Sequence, residues 1–329
     1  MGRRPCPVGK AISTCRQLVV GWLLLISVSL PVFGAVSAAD LMSALSLQQP
    51  LATATTSPDG PPRVITLAPS VTELVYAAGA GDAIVGTVLH SDYPPAARAI
   101  PRIGDGVQPN DEAILALRPT LVVAWYPTDI TQSLAQRLQL LGVPLVYANP
   151  QSLDDLPGLI RQLGQRLGTE VQADANAQAL QQRIDALGIA DQKSAVAGPP
   201  DTALVSVFIE ISTDPLYTLG NAPLINDLLT RCGGQNPYAD SRVAAPQVSV
   251  ESVLHLSPQV LIVSPNGRDT LQTRTRWWAE RGLAAALNHR TYAVDPDWLH
   301  RPGPRLVDAA EVICRDLGDS KRLNDLFLN

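Results

Sequence analysis

Glu112-Ala-Ile-Leu-Ala-Leu-Arg-Pro119-Thr-Leu-Val-Val-Ala124 and Glu251-Ser-Val-Leu-His-Leu-Ser-Pro258-Gln-Val-Leu-Ile-Val263 are two copies of one pattern, 139 positions apart. Each reads as a glutamate, a short helix, a proline break and a buried strand. A period this long is too wide for a solenoid. It predicts two lobes of similar build, each presenting one glutamate at a matching place. A carboxylate is favoured near any helix N-terminus by the helix dipole, which accounts for Glu112 or Glu251 singly but does not require their equal placement. Two equivalent faces suit a two-fold symmetric partner, whose arginines would pair with exposed carboxylates and set the register of docking.

Outward from the two copies, the chain alternates strands and helices. In the first half, strands are expected at 64–67, 83–89, 121–125 and 145–147, with helices at 70–78, 111–117, 131–141 and 156–167. Ser70-Val-Thr-Glu73 reads as a capping box opening the first helix, Asn110 as the cap of the second, and Gly79-Ala-Gly81 as a helix stop. In the second half, strands are expected at 203–209, 260–263 and 291–294, and helices near 222–231, 249–256, 270–281 and 304–317. This alternation predicts an α/β protein with a parallel sheet in each lobe. Residues 170–187 differ. They are rich in Ala and Gln, carry Leu180, Ile184 and Leu187 at helical spacing and lack Gly and Pro. They read as the helix joining the lobes. The expected boundaries are an N-terminal lobe at 63–168, a linking helix at 169–197 and a C-terminal lobe at 198–329.

The start of the chain carries Arg3, Arg4, Lys10 and Arg16, followed by an uncharged run over 17–39 whose core, 18–30, is strongly apolar. Small residues close it at Ala35, Ser37, Ala38 and Ala39. A basic start, an apolar middle and a small-residue exit are the parts of a secretory signal, expected at 1–39. The run is also just long enough for a retained membrane anchor. Residues 40–62, rich in Ala, Ser, Thr, Pro and Gln, read as a flexible tether. Loss of the signal removes four positive charges and no negative ones, taking the formal net charge from −5 to −9. So acidic a chain argues against nucleic acid or an anionic membrane as partner. Cys6 and Cys15 leave with the signal. Cys232 and Cys314 remain, and an even pair in an exported chain reads as one disulfide, the other reading being two free buried thiols.

The sequence has no phosphate loop, metalloprotease helix, nucleophile elbow or cysteine cluster with metal spacing. His90, His255, His289 and His300 are scattered. No catalytic residue, cofactor or metal is expected, and a binding protein is. Ligands of open α/β sheets sit at the carboxyl ends of strands. There the chain places Tyr93, Trp125, Tyr217 in the loop after the first strand of the second lobe, and Asp297, Trp298 and Arg301. Flat ring faces suit a large, partly apolar ligand, and an Asp and an Arg would orient its polar edge.

These segments together resemble a known family, the periplasmic cobalamin-binding proteins of ABC importers, within the helical-backbone class of metal-chelate binding proteins. The resemblance runs from Arg63 to Asp316. It is carried by Arg63-Val-Ile-Thr-Leu-Ala-Pro69, Thr72-Glu-Leu74, Ser91-Asp-Tyr-Pro-Pro95, residues 116–125, Cys232-Gly-Gly234, Asp240-Ser-Arg-Val243, Pro246-Gln-Val-Ser249 and Asp297-Trp298. It implies two α/β lobes joined by one long helix with the ligand between them. It implies Tyr93, Trp125 and Tyr217 against a corrinoid, Tyr217 standing where the family has phenylalanine. It further implies ligand contacts from Asp297 and Arg301, a Cys232–Cys314 disulfide, a periplasmic monomer, and docking of Glu112 and Glu251 on a two-fold ABC permease. The chain departs from the family where Gly104-Asp-Gly106 and Ala245 replace two tryptophans. Those losses leave haem or an iron–siderophore as the other ligand classes for the same transport role.

Overall fold

Val64, Ile65 and Thr66 form the first strand, β1 (Val64–Thr66), and are sealed from solvent on both faces, as expected for an inner strand of a parallel sheet. The computed structural model describes residues 60–187, 204–267 and 269–328, with side chains described to Ser320. The proposed signal, most of the tether, residues 188–197 of the expected linking helix and Ala203 lie outside these described residues.

The N-terminal lobe runs β1, α1 (Pro69–Ala77), β2 (Ile84–Thr87), α2 (Asp111–Ala116), β3 (Leu121–Ala124), α3 (Asp129–Gln139), β4 (Leu145–Tyr147) and α4 (Asp155–Leu167). Its sheet is parallel throughout, in the order β2-β1-β3-β4. The linking helix is α5 (Glu170–Ala186). The C-terminal lobe follows with β5 (Val205–Thr213), β6 (Leu216–Thr218), α6 (Pro223–Arg231), β7 (Gly234–Gln235), α7 (Val250–Leu256), β8 (Val260–Val263), α8 (Leu271–Ala279), α9 (Ala284–Leu287), β9 (Thr291–Ala293), α10 (Pro296–Leu299) and α11 (Leu306–Leu328). Its sheet has the order β6-β5-β8-β9 with β7 beside β5, parallel except for β6 against β5.

The repeat is realised in detail. Asn110 caps α2 by accepting the Ala113 N–H at 3.0 Å, and Ser249 caps α7 by accepting the Ser252 N–H at 3.2 Å. Arg118 and Ser257, each just before a buried proline, are left-handed, with φ of 46° and 44°. The next helices, α3 and α8, both begin with a Thr–Thr capping box, Thr128/Thr131 and Thr270/Thr273. Ile114 and Val253 are fully buried at matching places. In this way α2 and α3 cover one face of the first sheet through Ile114, Leu134 and Leu138, and α7 and α8 cover the same face of the second through Val253 and Trp278.

The other faces of both sheets meet one shared core. It includes Val64 and Val123, Ile160 and Leu163 of α4, Val207 and Ile209 of β5, Leu228 of α6 and Ile313 of α11. Helix α5 lies across it with a narrow buried stripe, Ala173, Ala177, Leu180 and Ile184. The crossing with α4 is tight, since a Cβ on Gly164 would stand 2.3 Å from that of Ala173. Toward the first lobe, Thr169 and Asn176 donate to the Ala78 and Ala77 carbonyls at 2.6 and 2.7 Å. Toward the second, Arg183 donates to Asp308 at 2.5 Å and Glu311 at 2.8 Å. Cys232 and Cys314 form the disulfide, joining the end of α6 to α11 over 82 residues of sequence. A loop of that size corresponds to about 4.5 kcal/mol by the chain-entropy argument.

Several expectations need correction. Helix α1 starts at Pro69, so Ser70 lies inside it, and Ala68 at the N-cap has no side-chain bond. Proline at the first helical position sets φ and lacks the N–H a cap would satisfy. The box read at Ser70–Glu73 is therefore not a cap. Tyr217 lies in strand β6 rather than in a loop, because the chain reverses after β5 and pairs with it. Strand β5 runs four residues past the expected end, and α11 runs well past Leu317.

Candidate functional site

The carboxyl ends of the two sheets meet where α1 and the segment before α11 touch. Helix α1 leaves the end of β1. Residues 301–305 follow β9 and α10, so they belong to the same edge of the second sheet. Gly303 sits against α1, where an added Cβ would be 3.3 Å from the Ser70 carbonyl oxygen. Arg305 reaches across to Glu73, its Nη2 donating to Oε1 at 2.6 Å and its Nε to Oε2 at 3.0 Å. Glu73 is 4% exposed. Burial pushes its carboxyl above the ordinary carboxylate range, against the pull of Arg305 and Arg301. A two-point guanidinium–carboxylate pair carries direction as well as energy.

Tyr93 joins the same group. It follows β2, and the Arg305 guanidinium lies 4.2 Å from its ring centroid. The residue remains 46% exposed. Asp297 and Arg301 pair at 3.3 Å across the end of α10. Both act electrostatically on Glu73. The structure thus brings Tyr93, Asp297 and Arg301 of the expected set together, around Glu73 and Arg305, which sequence reading missed. The signal for them was Pro69, which rules out a cap at Ser70 and leaves Glu73 in need of another partner.

The loop carrying Tyr93 rests on buried hydroxyls. Thr66 and Thr72 lie 2.7 Å apart. Thr66 Oγ1 donates to Thr87 Oγ1 and Thr87 Oγ1 to Ser91 Oγ, each at 2.8 Å. Trp125 stands directly after β3, half-buried on the shared core, as is Trp298 on α10. Tyr217 pairs with Ser212 near the end of β5 and bridges to Gln247. All are on carboxyl-end edges, but among the described residues no hydrogen bond, ion pair or ring contact joins Trp125, Tyr217 or Trp298 to the Glu73–Arg305 group. Between β2 and α2, where the two glycines flank Asp105, the chain makes a tight turn. Asp105 accepts the Val107 and Gln108 N–H groups at 2.9 and 2.5 Å. Gly104 has φ 125°, and a Cβ there would be 2.7 Å from the Gln108 carbonyl oxygen.

Glu112 and Glu251 are both exposed, each two residues past its N-cap. The Glu251 carboxyl is held below its ordinary range by its own backbone N–H and the Ser249 hydroxyl. Among the described residues, no group of three or more His, Cys, Asp or Glu is placed to hold a metal ion.

Comparison with known proteins agrees with this architecture. The chain is 38% identical over 261 residues to a vitamin B12-binding protein of Pectobacterium atrosepticum, covering 79% of this chain and 90% of that one. A protein of the same name from Photorhabdus laumondii is 34% identical over 260 residues, covering 79% and 89%. Among solved structures, the periplasmic vitamin B12 binding protein BtuF of Vibrio cholerae superposes with a TM-score of 0.69 at 32% identity, covering 79% and 97%. The periplasmic heme-binding protein RhuT of Roseiflexus sp. RS-1 gives 0.64 at 25% identity, covering 79% and 99%. Residues 64–297 match the periplasmic binding protein family, and the chain belongs to that family.

Proposed function

We propose that this protein is a periplasmic, non-catalytic solute-binding protein that captures cobalamin or a related corrinoid and delivers it to an ABC permease. The observation that carries this reading is the 38% identity to a vitamin B12-binding protein across nine-tenths of that protein. The meeting of two carboxyl-end edges around Tyr93, Asp297 and Arg301 supports it, since ligands of such sheets lie there. Trp125, Tyr217 and Trp298 add ring surface on the same edges. Calorimetric titration of the exported protein with cyanocobalamin is the test. One-to-one binding with Kd below about 1 μM is expected. Absence of binding by folded protein overturns the corrinoid assignment.

A second ligand class has its own support. The turn at Gly104–Gly106 and Ala245 present no aromatic ring where the resemblance leads one to expect tryptophans, and RhuT shares the fold at 25% identity. Haem or an iron–siderophore would then occupy the same edges. A saturating absorbance change with haem or a ferric chelate, and none with cyanocobalamin, selects this reading.

Glu112 and Glu251 are assigned to docking on arginines of a two-fold permease, because the same cap presents each carboxylate to solvent. Reversing both charges is expected to leave ligand affinity unchanged and to abolish stimulation of transporter ATPase activity. Survival of that stimulation reduces both residues to helix-end carboxylates.

A further inference from the structure

We propose that Arg305 is a positioning residue for ligand binding, holding the Tyr93 ring as a platform whose orientation depends on the placement of the opposite lobe. This rests on the reading of Tyr93 as a ligand-facing ring. Arg305 is rooted in the C-terminal lobe just before α11, yet both its partners belong to the N-terminal lobe. Its fork is fixed by two hydrogen bonds to Glu73, whose side chain is 3% exposed against 13% for Arg305. With the guanidinium plane set by Glu73, one ring face of Tyr93 is covered at 4.2 Å, while nearly half the residue stays open. Gly303 pressed on Ser70 keeps the backbone of this segment against α1. From beneath, Thr87 and Ser91 tie down the loop that carries Tyr93. A shift of one lobe against the other would therefore move Arg305 relative to Glu73 and turn the ring. A ligand stacked on that ring would in turn favour one lobe arrangement, which is a coupling between binding and lobe position.

The chemistry requires arginine. A lysine ammonium is a point charge and cannot bind a carboxylate at two points while lying flat on a ring. Methionine keeps the bulk and loses both interactions.

The test has two readouts. In ligand-free protein with 13C-labelled tyrosine rings, the Tyr93 signal is identified among the seven tyrosines by its loss in Tyr93→Phe. Arg305→Met and Glu73→Gln are both expected to shift it and leave the Tyr238 signal in place. Should Arg305→Met fail to fold, Arg305→Lys is expected to shift it in the same direction by less. An unmoved Tyr93 signal in these variants overturns the proposal. In the second readout, Arg305→Met is expected to weaken cyanocobalamin binding about tenfold with Tyr93 present and less than about twofold in a Tyr93→Leu background. Equal losses in the two backgrounds show that Arg305 does not act through the ring and overturn the proposal. If the unaltered protein does not bind cyanocobalamin, the corrinoid reading fails, and the ring spectra still decide the role of Arg305.

Discussion

In the N-terminal lobe, the polar cluster closed off at the strand ends and paired within the lobe is four hydroxyls, Thr66, Thr72, Thr87 and Ser91, bonded to one another at 2.7–2.9 Å, while the buried Glu73 carboxylate is paired to Arg305 of the other lobe. In the C-terminal lobe the corresponding cluster is a carboxylate, a guanidinium and an indole. Arg274 donates twice to Glu210 at 2.7 Å, and Trp278 Nε1 donates to Glu210 at 2.6 Å. The guanidinium carbons of Arg274 and Arg281 lie over the neighbouring Trp277 ring, 4.4 and 3.6 Å from its centroid. The outer frames of the lobes match turn for turn, so the contrast lies in what each frame encloses. A hydroxyl left without its partner is a neutral defect. A buried carboxylate left without its partner is a charged one, and far more costly. Of these two within-lobe clusters the C-terminal one is therefore the costlier to break, although its charged group is fully paired.

The contrast can be broken most directly at Arg274. Arg274→Met is expected to cost about 3–5 kcal/mol, because it strands Glu210 in the core. A second change, Glu210→Leu, should return much of that loss. Urea unfolding measures both, and a cost for Arg274→Met no greater than that of Thr87→Val erases the distinction between the lobes. For Thr87→Val itself the expected loss is about 1–3 kcal/mol, with Tyr93 less ordered by hydrogen exchange in its loop.

Smaller effects sharpen the likeness of the frames. Asn110→Ala and Ser249→Ala each remove one cap bond and should each cost about 1 kcal/mol. Thermal unfolding that separates the two by more than the cap scale would show that the repeat is one of sequence more than of energetics.

The smallest expected effect is on pH dependence, and it compares two links between the lobes. Burial raises the Glu73 carboxyl despite Arg305. Its contribution to stability is present below its unfolded value near 4.5 and lost as pH rises through the raised folded value. Burial would also raise Asp154, but hydrogen bonds from Arg231 and Gln181 outweigh it and hold that carboxyl below its usual range. Its contribution is present above about 3.8 and lost as pH falls through the lowered value. Denaturant unfolding from about pH 3 to about pH 7 should show Glu73→Gln flattening the higher side of this window and Asp154→Asn the lower side.

Much of the frame was legible from local pattern. The cap at Asn110, the stop at Gly79 and the buried strands at 121–124 and 260–263 follow from residue types within a few positions. The Ser70–Glu73 box misled because a local signature was read without Pro69 beside it. Glu210 carried an unread signal, since a charge in the apolar run Val207-Phe-Ile-Glu-Ile211 must find a partner if that strand is buried. Tyr217 was misplaced because β6 has only three residues and takes its identity from pairing with β5.

By itself the sequence determined two lobes of like construction, two glutamates at equal places, an even pair of cysteines and aromatic groups at strand ends. These depend on periodicity and capping, which act over a turn or two of chain. Only the tertiary structure decided that Glu73 meets Arg305, 232 residues away, and that Arg305 then lies on Tyr93. No local preference encodes such a contact. It exists because both sheets end at the same place, where burial leaves a carboxylate and a guanidinium no better partner than each other.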